Sequence, residues 1–158
     1  MSTIKQTRWL TRDEKQCWVA FVQLLTVALS RLESQMQADS GISHYEYGVM
    51  ARLSEAPRRT VVLSQLADMS NGSLSRLSHA MRRLERHDWV RRSPCASDGR
   101  LTEATLTDAG MAKVTESAPG HVRMVRSLVF DALTPEQSAQ LRDISLAILN
   151  HDRSKTAD

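Results

Sequence analysis

The chain has 158 residues, a length that predicts one compact domain and argues against a multidomain enzyme. With 41% hydrophobic and 25% charged residues it can bury its own core, so we expect it to fold without disulfides or metals. Its two cysteines, Cys17 and Cys95, are too few and too far apart for a four-ligand zinc site. The longest apolar stretch, 19–29, is shorter than a membrane span, and the N-terminal residues lack a secretory signal pattern. We therefore predict a cytoplasmic protein with no membrane helix.

Positive charge is concentrated in the middle third of the chain. The net charge is +3, and 17 of the 21 basic residues are arginine. Residues 52–100 contain ten arginines against five acidic residues, a local net charge of +5, whereas the rest of the chain carries −2. Arginine is favoured where a planar fork grips phosphate or the edge of a base. The asymmetry indicates a module that meets a polyanion, and the alternative is an ordinary solvated basic face.

The first predicted helix covers about residues 11–38 and is apolar on two sides. Its main apolar residues recur at helical steps of three and four, and they are Trp18, Val22, Leu25, Leu29, Leu32 and Met36. Phe21, Leu24 and Val27 form the second apolar side. Because such a helix must be covered on both sides, we predict that residues 1–40 form an N-terminal dimerisation helix.

The next segment has the pattern of a helix-turn-helix. Ser43 and Glu46 have capping-box spacing at the start of a helix that ends before Pro57. The predicted pieces that follow are a β-prone segment at 60–62, a short helix at 63–69, a glycine-containing turn at 70–72, and a longer helix from 73 to about 87. Two helices joined by such a turn form a helix-turn-helix.

A β-hairpin is predicted directly after this motif. The segments 89–93 and 102–107 are β-prone, and the turn-rich run between them has Asp98-Gly99 near its tip. The fold class is therefore mostly α with a small β-hairpin wing, and residues 41–118 are predicted to form a winged helix-turn-helix lobe.

The C-terminal part is predicted to be helical. Thr107 can cap a helix that Pro119-Gly120 should bend or break, and Thr134 begins a capping box with proline at the first helical position of a helix to about Asn150. The apolar residues of this last helix are expected to pack on the first helix, and they are Leu141, Ile144, Ile148 and Leu149. We predict C-terminal dimerisation helices over 119–150 and a frayed tail over 151–158.

The helix over 73–87 has basic and apolar residues on almost opposite faces. The basic face carries Arg76, His79, Arg83 and Arg86, with the hydroxyl of Ser75 also outward. Such a helix suits the DNA major groove, with its N-terminal residues at the base edges, and the alternative is a charged surface helix.

The predicted wing tip carries a second candidate DNA contact. Arg100 is placed to enter a minor groove, where negative potential attracts arginine. Asp98 either orients the guanidinium of Arg100 or only forms the turn.

The motifs together resemble the MarR-type winged-helix transcriptional regulators over nearly the whole chain. They are Ser75-Arg76-Leu77, Arg82-Arg83-Leu84-Glu85-Arg86, Val90-Arg91-Arg92, Asp98-Gly99-Arg100 and Leu106-Thr107-Asp108-Ala109-Gly110. The resemblance implies a homodimer that binds a pseudo-palindromic site in double-stranded DNA, in most members as a repressor released by a small aromatic ligand or by oxidation. Asp88-Trp89 departs from the family, which usually has a glycine at the end of this helix.

The resemblance also implies site residues. Ser75, Arg76 and His79 would contact the major groove and Arg100 the minor groove with Asp98 supporting it, and we add Ser73, Arg83, Arg91 and Arg92 as candidate DNA contacts. The family's ligand crevice would be lined by Trp18, Phe21, His44, Tyr45 and Arg52, unless these residues only pack the core and the interface. In the alternative of a thiol-based, oxidation-sensing repressor, Cys17 or Cys95 would be the reactive thiol.

The sequence contains no catalytic motif that survives inspection. His44, Glu46 and Cys95 superficially resemble a zinc-deaminase signature, but the position of its second cysteine is Asp98. Phosphate-binding, dinucleotide-binding, zincin and nucleophile-elbow motifs do not occur. We predict no enzymatic activity, cofactor or metal, and the remaining non-enzymatic alternative is a winged helix that contacts only proteins.

Overall fold

The computed structural model of the chain describes residues 7–156, and of residues 153–156 only the backbone. In this range there are six α-helices, two short 3-10 turns and three strands. Their bounds are α1 Arg12–Ser40, α2 His44–Glu55, a 3-10 turn Pro57–Arg59, β1 Thr60–Val62, α3 Leu63–Met69, α4 Leu74–Arg86, β2 Val90–Pro94, β3 Thr102–Leu106, α5 Asp108–Leu128, a 3-10 turn Phe130–Ala132, and α6 Pro135–Thr156. The predicted fold class is confirmed, whereas the predictions for residues 1–6 and 157–158 lie outside the described residues.

The three strands form one antiparallel sheet with β3 in the centre. β3 pairs with β1 on one side, where Thr60 lies opposite Thr105, and with β2 on the other, where Val90 lies opposite Leu106. The β2–β3 hairpin is the predicted wing.

The core of the lobe lies between α2, α3, α4 and the sheet. Its fully buried side chains include Met50, Leu53, Leu66, Leu77, Met81, Leu84 and Val90. Three of the four apolar residues predicted for one face of α4 are in this set, whereas the fourth, Leu74 in the first turn, is 59% exposed. Because that face is buried, the opposite face of α4 is left at the surface.

Two predicted capping boxes are present. The backbone N–H of Ser43 donates to Glu46 Oε2 (2.8 Å), and the N–H of Glu46 donates to Ser43 Oγ (3.1 Å). Thr134 and Gln137 make the same reciprocal pair at the start of α6, at 2.9 and 3.2 Å. Each box satisfies backbone donors that a helix start would otherwise leave unpaired.

Pro119-Gly120 was predicted to bend or break the helix, and the break is wrong, because α5 is continuous from Asp108 to Leu128. α5 packs along α1, and Gly120 is its point of close approach, where an added Cβ would lie 3.0 Å from Asp39 Oδ2. This packing stabilises α5 at Pro119, which lacks an N–H and so removes one backbone hydrogen bond from the helix. The predicted domain boundary between 118 and 119 therefore falls inside α5.

The final helix also differs from the expectation. α6 continues to Thr156, so residues 151–156 are helical and not frayed. Ile144, Ile148 and Leu149 are about half exposed, so in the single chain they are not packed on α1 as predicted. The described residues leave about half of their apolar surface uncovered.

The outer surface of α1 is apolar over most of its length. Trp18 is 56% exposed and Leu29 58% exposed, with similar exposure for the apolar residues between them. By length and composition α1 could cross a membrane, which corrects the expectation that no such helix exists. Composition alone does not identify a membrane span, because a helix that packs against another protein has the same composition.

The backbone at the end of α4 shows how the chain ends this helix without the glycine that the family usually has there. Asp88 adopts the left-handed conformation (φ 55°), its N–H donates to Glu85 O, and the N–H of Trp89 donates to Leu84 O. An aspartate thus occupies the position at which helices commonly have glycine.

We expect Asp88→Gly to raise the free energy of unfolding by about 0.5–1 kcal/mol, because glycine adopts this conformation without a Cβ penalty. The exposed ion pair from Asp88 to Arg91 (3.2 Å) is lost in this variant, which offsets little of the gain. Urea unfolding measures the difference. Asp88→Ala is the matched control, since it removes the carboxylate and keeps the Cβ. A glycine variant no more stable than the alanine variant would contradict the interpretation.

Candidate nucleic-acid interface

One exposed stripe of polar side chains runs along α4. It consists of Ser75, His79, Arg82 and Arg86, which recur at helical spacing and which we call the α4 stripe. In the described part of the chain neither arginine of the stripe has an ion-pair partner. A groove of about 630 Å³ is lined by three of these side chains, His79, Arg82 and Arg86, together with Arg83 and Glu85. Two solvated guanidinium groups beside a groove are suited to bind phosphate oxygens.

Sequence reasoning found this stripe only in part. Arg86 was placed on the basic face but not among the contacts, and Arg82 was missed. Arg82 lies at the margin of the predicted basic face, which runs from Arg76 to Arg86 around the helix. Ser75 and Arg82 lie on the same side of the helix, and a wheel centred on the pair would have included Arg82.

Arg76 and Arg83 lie on the side of α4 that is nearer α2, and Arg83 also lines the groove. Arg83 Nε lies 3.0 Å from Glu46 Oε1, and the Glu46 side chain is only 4% exposed. The same carboxylate accepts the capping hydrogen bond of Ser43 through its other oxygen. Glu46 therefore joins the start of α2 to the last turn of α4, and Arg83 has a structural partner that the sequence did not indicate.

Arg76 stacks on an aromatic ring. Its Cζ lies 4.1 Å from the centroid of the Tyr45 ring, a cation–π geometry. Its backbone N–H donates to Ser73 Oγ (3.1 Å), so Ser73, a predicted DNA contact, is the N-cap of α4.

The arginines at the base of the wing are paired with acids of the chain. Arg92 makes a bidentate pair with Glu85, at 2.7 Å from Nε and 2.6 Å from Nη2, and Arg91 pairs with Asp88. Hydrogen bonding to Glu85 raises the pKa of Arg92 above its ordinary value. Arg91 and Arg92 thus fix the wing to the end of α4, and their role as DNA contacts stays a prediction.

Arg100 is exposed at the wing tip, as predicted. Asp98 Oδ1 accepts a hydrogen bond from the backbone N–H of Arg100 (3.0 Å), and no contact of Asp98 with the guanidinium is present among the described residues. Asp98 therefore forms the turn, and its role in orienting the Arg100 side chain stays a prediction.

A second site lies behind α4. A cleft of about 580 Å³ is lined by residues of α1, α2, α4 and α5 and of the turn after α3. Of the predicted ligand residues, His44, Tyr45 and Arg52 line it. Trp18 and Phe21 do not; their ring centroids are 6.3 Å apart on the exposed side of α1, so their assignment to the crevice is corrected. Sequence reasoning missed Glu33, Arg76 and His121, which long-range packing brings into the cleft.

Comparison with known proteins connects this geometry to a family. The family model described as MarR family matches residues 42–102. The crystal structure of Sco3205, a MarR family transcriptional regulator from Streptomyces coelicolor in complex with DNA, is 41% identical in sequence. It superposes with a TM-score of 0.89, covering 93% of this chain and 92% of that one. The chain belongs to the MarR family.

Two further relatives agree. AbsC, a MarR family transcriptional regulator from Streptomyces coelicolor, is 34% identical with a TM-score of 0.88, covering 94% of this chain and 99% of that one. YfiV of Bacillus subtilis, an uncharacterized HTH-type transcriptional regulator, is 27% identical over 152 residues, which are 94% of this chain and 90% of the relative. As a MarR-family member the chain is a transcriptional regulator and not an enzyme.

In this MarR-family chain the cleft is walled by aromatic groups. The rings of His44 and His121 stack with centroids 5.6 Å apart, and Tyr47 lies 4.7 Å from His121. Burial lowers the pKa of both histidines, so both imidazoles are neutral at pH 7. Burial also raises the pKa of Tyr45, against the opposing effect of Arg76 and Arg52, so its phenol keeps its proton.

The two cysteines of this MarR-family chain have different environments. Cys17 is exposed on α1, whereas Cys95 is buried after β2 with its Sγ 3.1 Å from Ser97 Oγ. Thiol-based sensing at either position stays a prediction.

Proposed function

We propose that the chain is a homodimeric repressor that binds a pseudo-palindromic site in double-stranded DNA. One observation carries this proposal: α4 buries its apolar face in the lobe and leaves the unpaired α4 stripe at the surface. The DNA complex of Sco3205, a family member 41% identical to this chain, supports the same interpretation.

Each part of this surface contacts a different part of the DNA. The hydroxyl of Ser75, in the first turn of α4, and the imidazole of His79, one turn further along, meet base edges in the major groove. Arg82 and Arg86 bind backbone phosphates and fix the register. Arg100 extends from the wing into the minor groove.

The homodimer is supported by apolar surface that the single chain leaves uncovered. Side chains of α1 such as Trp18 and Leu25, and of α6 such as Ile144 and Ile148, are each between 43% and 58% exposed. A contiguous apolar surface of this kind is unusual on a soluble monomer. A second copy of the chain covers it and sets the two α4 helices about 34 Å apart, or a small multiple of this distance.

The cleft supports release of the DNA by a small aromatic ligand. It has the volume of a small-molecule site and borders both α1 and α4, so a ligand there touches both the dimerisation part and the DNA-binding lobe. A regulator that binds chromosomal DNA in this way acts in the cytoplasm.

Selection of duplexes from a randomised pool tests the proposal. We expect enrichment of a site with two inverted half-sites whose centres are about 10 base pairs, or a multiple, apart. Light scattering of the same sample should give the mass of two chains. No enrichment, or a mass of one chain, would contradict the proposal.

Arg100→Gln is expected to weaken DNA binding by roughly tenfold with little change in sequence preference, because a minor-groove guanidinium contributes mainly electrostatic attraction. Arg100→Lys is the matched control because it keeps the charge. Its DNA affinity should lie between that of the wild type and that of Arg100→Gln. Fluorescence anisotropy with the selected duplex and with base-substituted duplexes measures both quantities. If Arg100→Gln binds as tightly as the wild type, the wing tip has no such role.

A further inference from the structure

Two arginines near the groove along α4 pair with acidic residues of the chain, but in different ways. Arg92 binds Glu85 through both Nε and Nη2, and the Arg92 side chain is 33% exposed. Arg83 faces Glu46 through Nε, at 3.0 Å from Oε1, and its side chain is 53% exposed and lines the groove. Within the described part of the chain no hydrogen bond occupies the two NH2 groups of Arg83. The ion pair therefore leaves these groups available to a ligand in the groove.

Glu46 holds its end of the ion pair in a fixed position. Its side chain is only 4% exposed, and it lies in the first turn of α2. Oε2 accepts a hydrogen bond from the backbone N–H of Ser43 (2.8 Å) in the capping box, while Oε1 faces Arg83. A buried carboxylate is unfavourable without a partner, so the pair with Arg83 is retained. The capping box thus fixes the carboxylate, and the carboxylate fixes the guanidinium.

The fixed position of Arg83 matters for DNA binding because flexible side chains lose entropy when they bind. Arg82 and Arg86 have no ion-pair partner among the described residues, so each must give up rotamer freedom on a phosphate. Arg83 lines the same groove and is already ordered. Its guanidinium is a planar fork that can face a carboxylate along one edge and a phosphate oxygen along another. Such a preordered arginine loses less entropy per contact than a free one.

We propose that Glu46 is a positioning residue for DNA binding, which holds Arg83 with its NH2 groups toward a backbone phosphate. The inference rests on the proposed function and adds to it a residue that does not itself touch DNA. Its predicted effect is opposite in sign to that of charge alone. Removing the negative charge of Glu46 would tighten binding to a polyanion if only net charge mattered, whereas loss of the positioning weakens it.

Glu46→Gln tests this sign, because glutamine at this position keeps the capping box but has no charge to pair with Arg83. We expect the variant to bind the selected duplex about tenfold more weakly than the wild type, as measured by fluorescence anisotropy. Glu14→Gln is the matched control, since Glu14 makes the same capping box at the start of α1, at 2.7 and 3.2 Å. It loses the same charge on a different helix, and its DNA affinity should stay within about twofold of the wild type.

Lysine variants test the two edges of the guanidinium separately. Arg83→Lys keeps a cation for Glu46 but lacks the planar fork that holds a carboxylate and a phosphate together, so we expect about tenfold weaker DNA binding. Arg82→Lys, at a position without an ion-pair partner, keeps its phosphate contact as a point charge and should bind within about threefold of the wild type. The double variant of Glu46→Gln and Arg83→Lys should bind at most about twofold more weakly than the weaker single variant, because both changes remove the same contact.

The proposal is overturned if Glu46→Gln binds the selected duplex as tightly as the wild type or more tightly. It is also overturned if the losses of Glu46→Gln and Arg83→Lys multiply to about a hundredfold, since Glu46 would then act independently of Arg83. The lysine comparison does not depend on the stability of Glu46→Gln, and equal affinities of Arg83→Lys and Arg82→Lys would by themselves overturn the proposal. A wild type without preference for the selected duplex would instead overturn the proposed function, so the two failures are distinguishable.

Discussion

Gly110→Ala is expected to lower the free energy of unfolding by about 3 kcal/mol, at the upper end of the usual cost of overpacking. An added Cβ would collide with the carbonyl oxygen of Trp89 and lie 2.6 Å from Leu106 Cδ1. The Trp89 carbonyl cannot move freely, because it accepts a hydrogen bond from the backbone N–H of Thr107 (3.0 Å). Thr107 also donates through its hydroxyl to Asp88 O (2.6 Å) and caps α5 at Gly110 N (2.9 Å). The segment from Leu106 to Gly110 thus forms the joint between the end of α4 and the start of α5.

Gly99→Ala is the matched control for this prediction. Gly99 has no neighbour within 4 Å of an added Cβ and does not have a positive φ, so the change should stay within about 0.5 kcal/mol. Urea unfolding of the two variants measures the contrast. Equal stability of Gly110→Ala and Gly99→Ala would contradict the account of this joint.

Replacing Arg82 and Arg86 together with glutamine is expected to weaken DNA binding by about a hundredfold. In a dimer this change removes four guanidinium groups from the α4 stripe, and each phosphate contact releases about one counterion. The slope of log affinity against log salt should therefore decrease by about 4. Both side chains are exposed and unpaired in the described chain, so the variant should fold as the wild type does.

Arg126→Gln controls for the loss of charge alone. Arg126 is in the last turn of α5, paired with Asp131 at 3.1 Å, away from α4. We expect its DNA affinity and salt slope to stay close to those of the wild type. If the Arg82 and Arg86 double variant also keeps the wild-type salt slope, the α4 stripe does not contact phosphate.

Local signals predicted most of the fold. The capping box at Ser43, the turn around Gly72 and the strand pattern of the wing depend on a few neighbouring residues, and these elements lie within one or two residues of their predicted bounds. The prediction at Pro119 was wrong because helix continuity there depends on packing of α5 along α1, which the local pattern does not contain.

The site was harder to predict than the fold. Periodicity located the exposed side of α4, but it could not show that Glu46 pairs with Arg83 or that Tyr45 receives Arg76, because each pair joins residues more than 30 positions apart. The same limit applies to the cleft, where His121 arrives from α5. Trp18 and Phe21 were assigned to the crevice from the family resemblance, whereas the structure leaves them on the outer surface of α1.

The central claim is sequence-specific DNA binding by the α4 stripe and the wing. Titration of the wild type with its selected duplex and with a scrambled duplex, at about 50 and 200 mM salt, tests it most directly. We predict that the selected duplex binds at least about a thousandfold more tightly than the scrambled one, and that both affinities fall steeply as salt increases. Equal affinity for the two duplexes, or an affinity independent of salt, would contradict the claim.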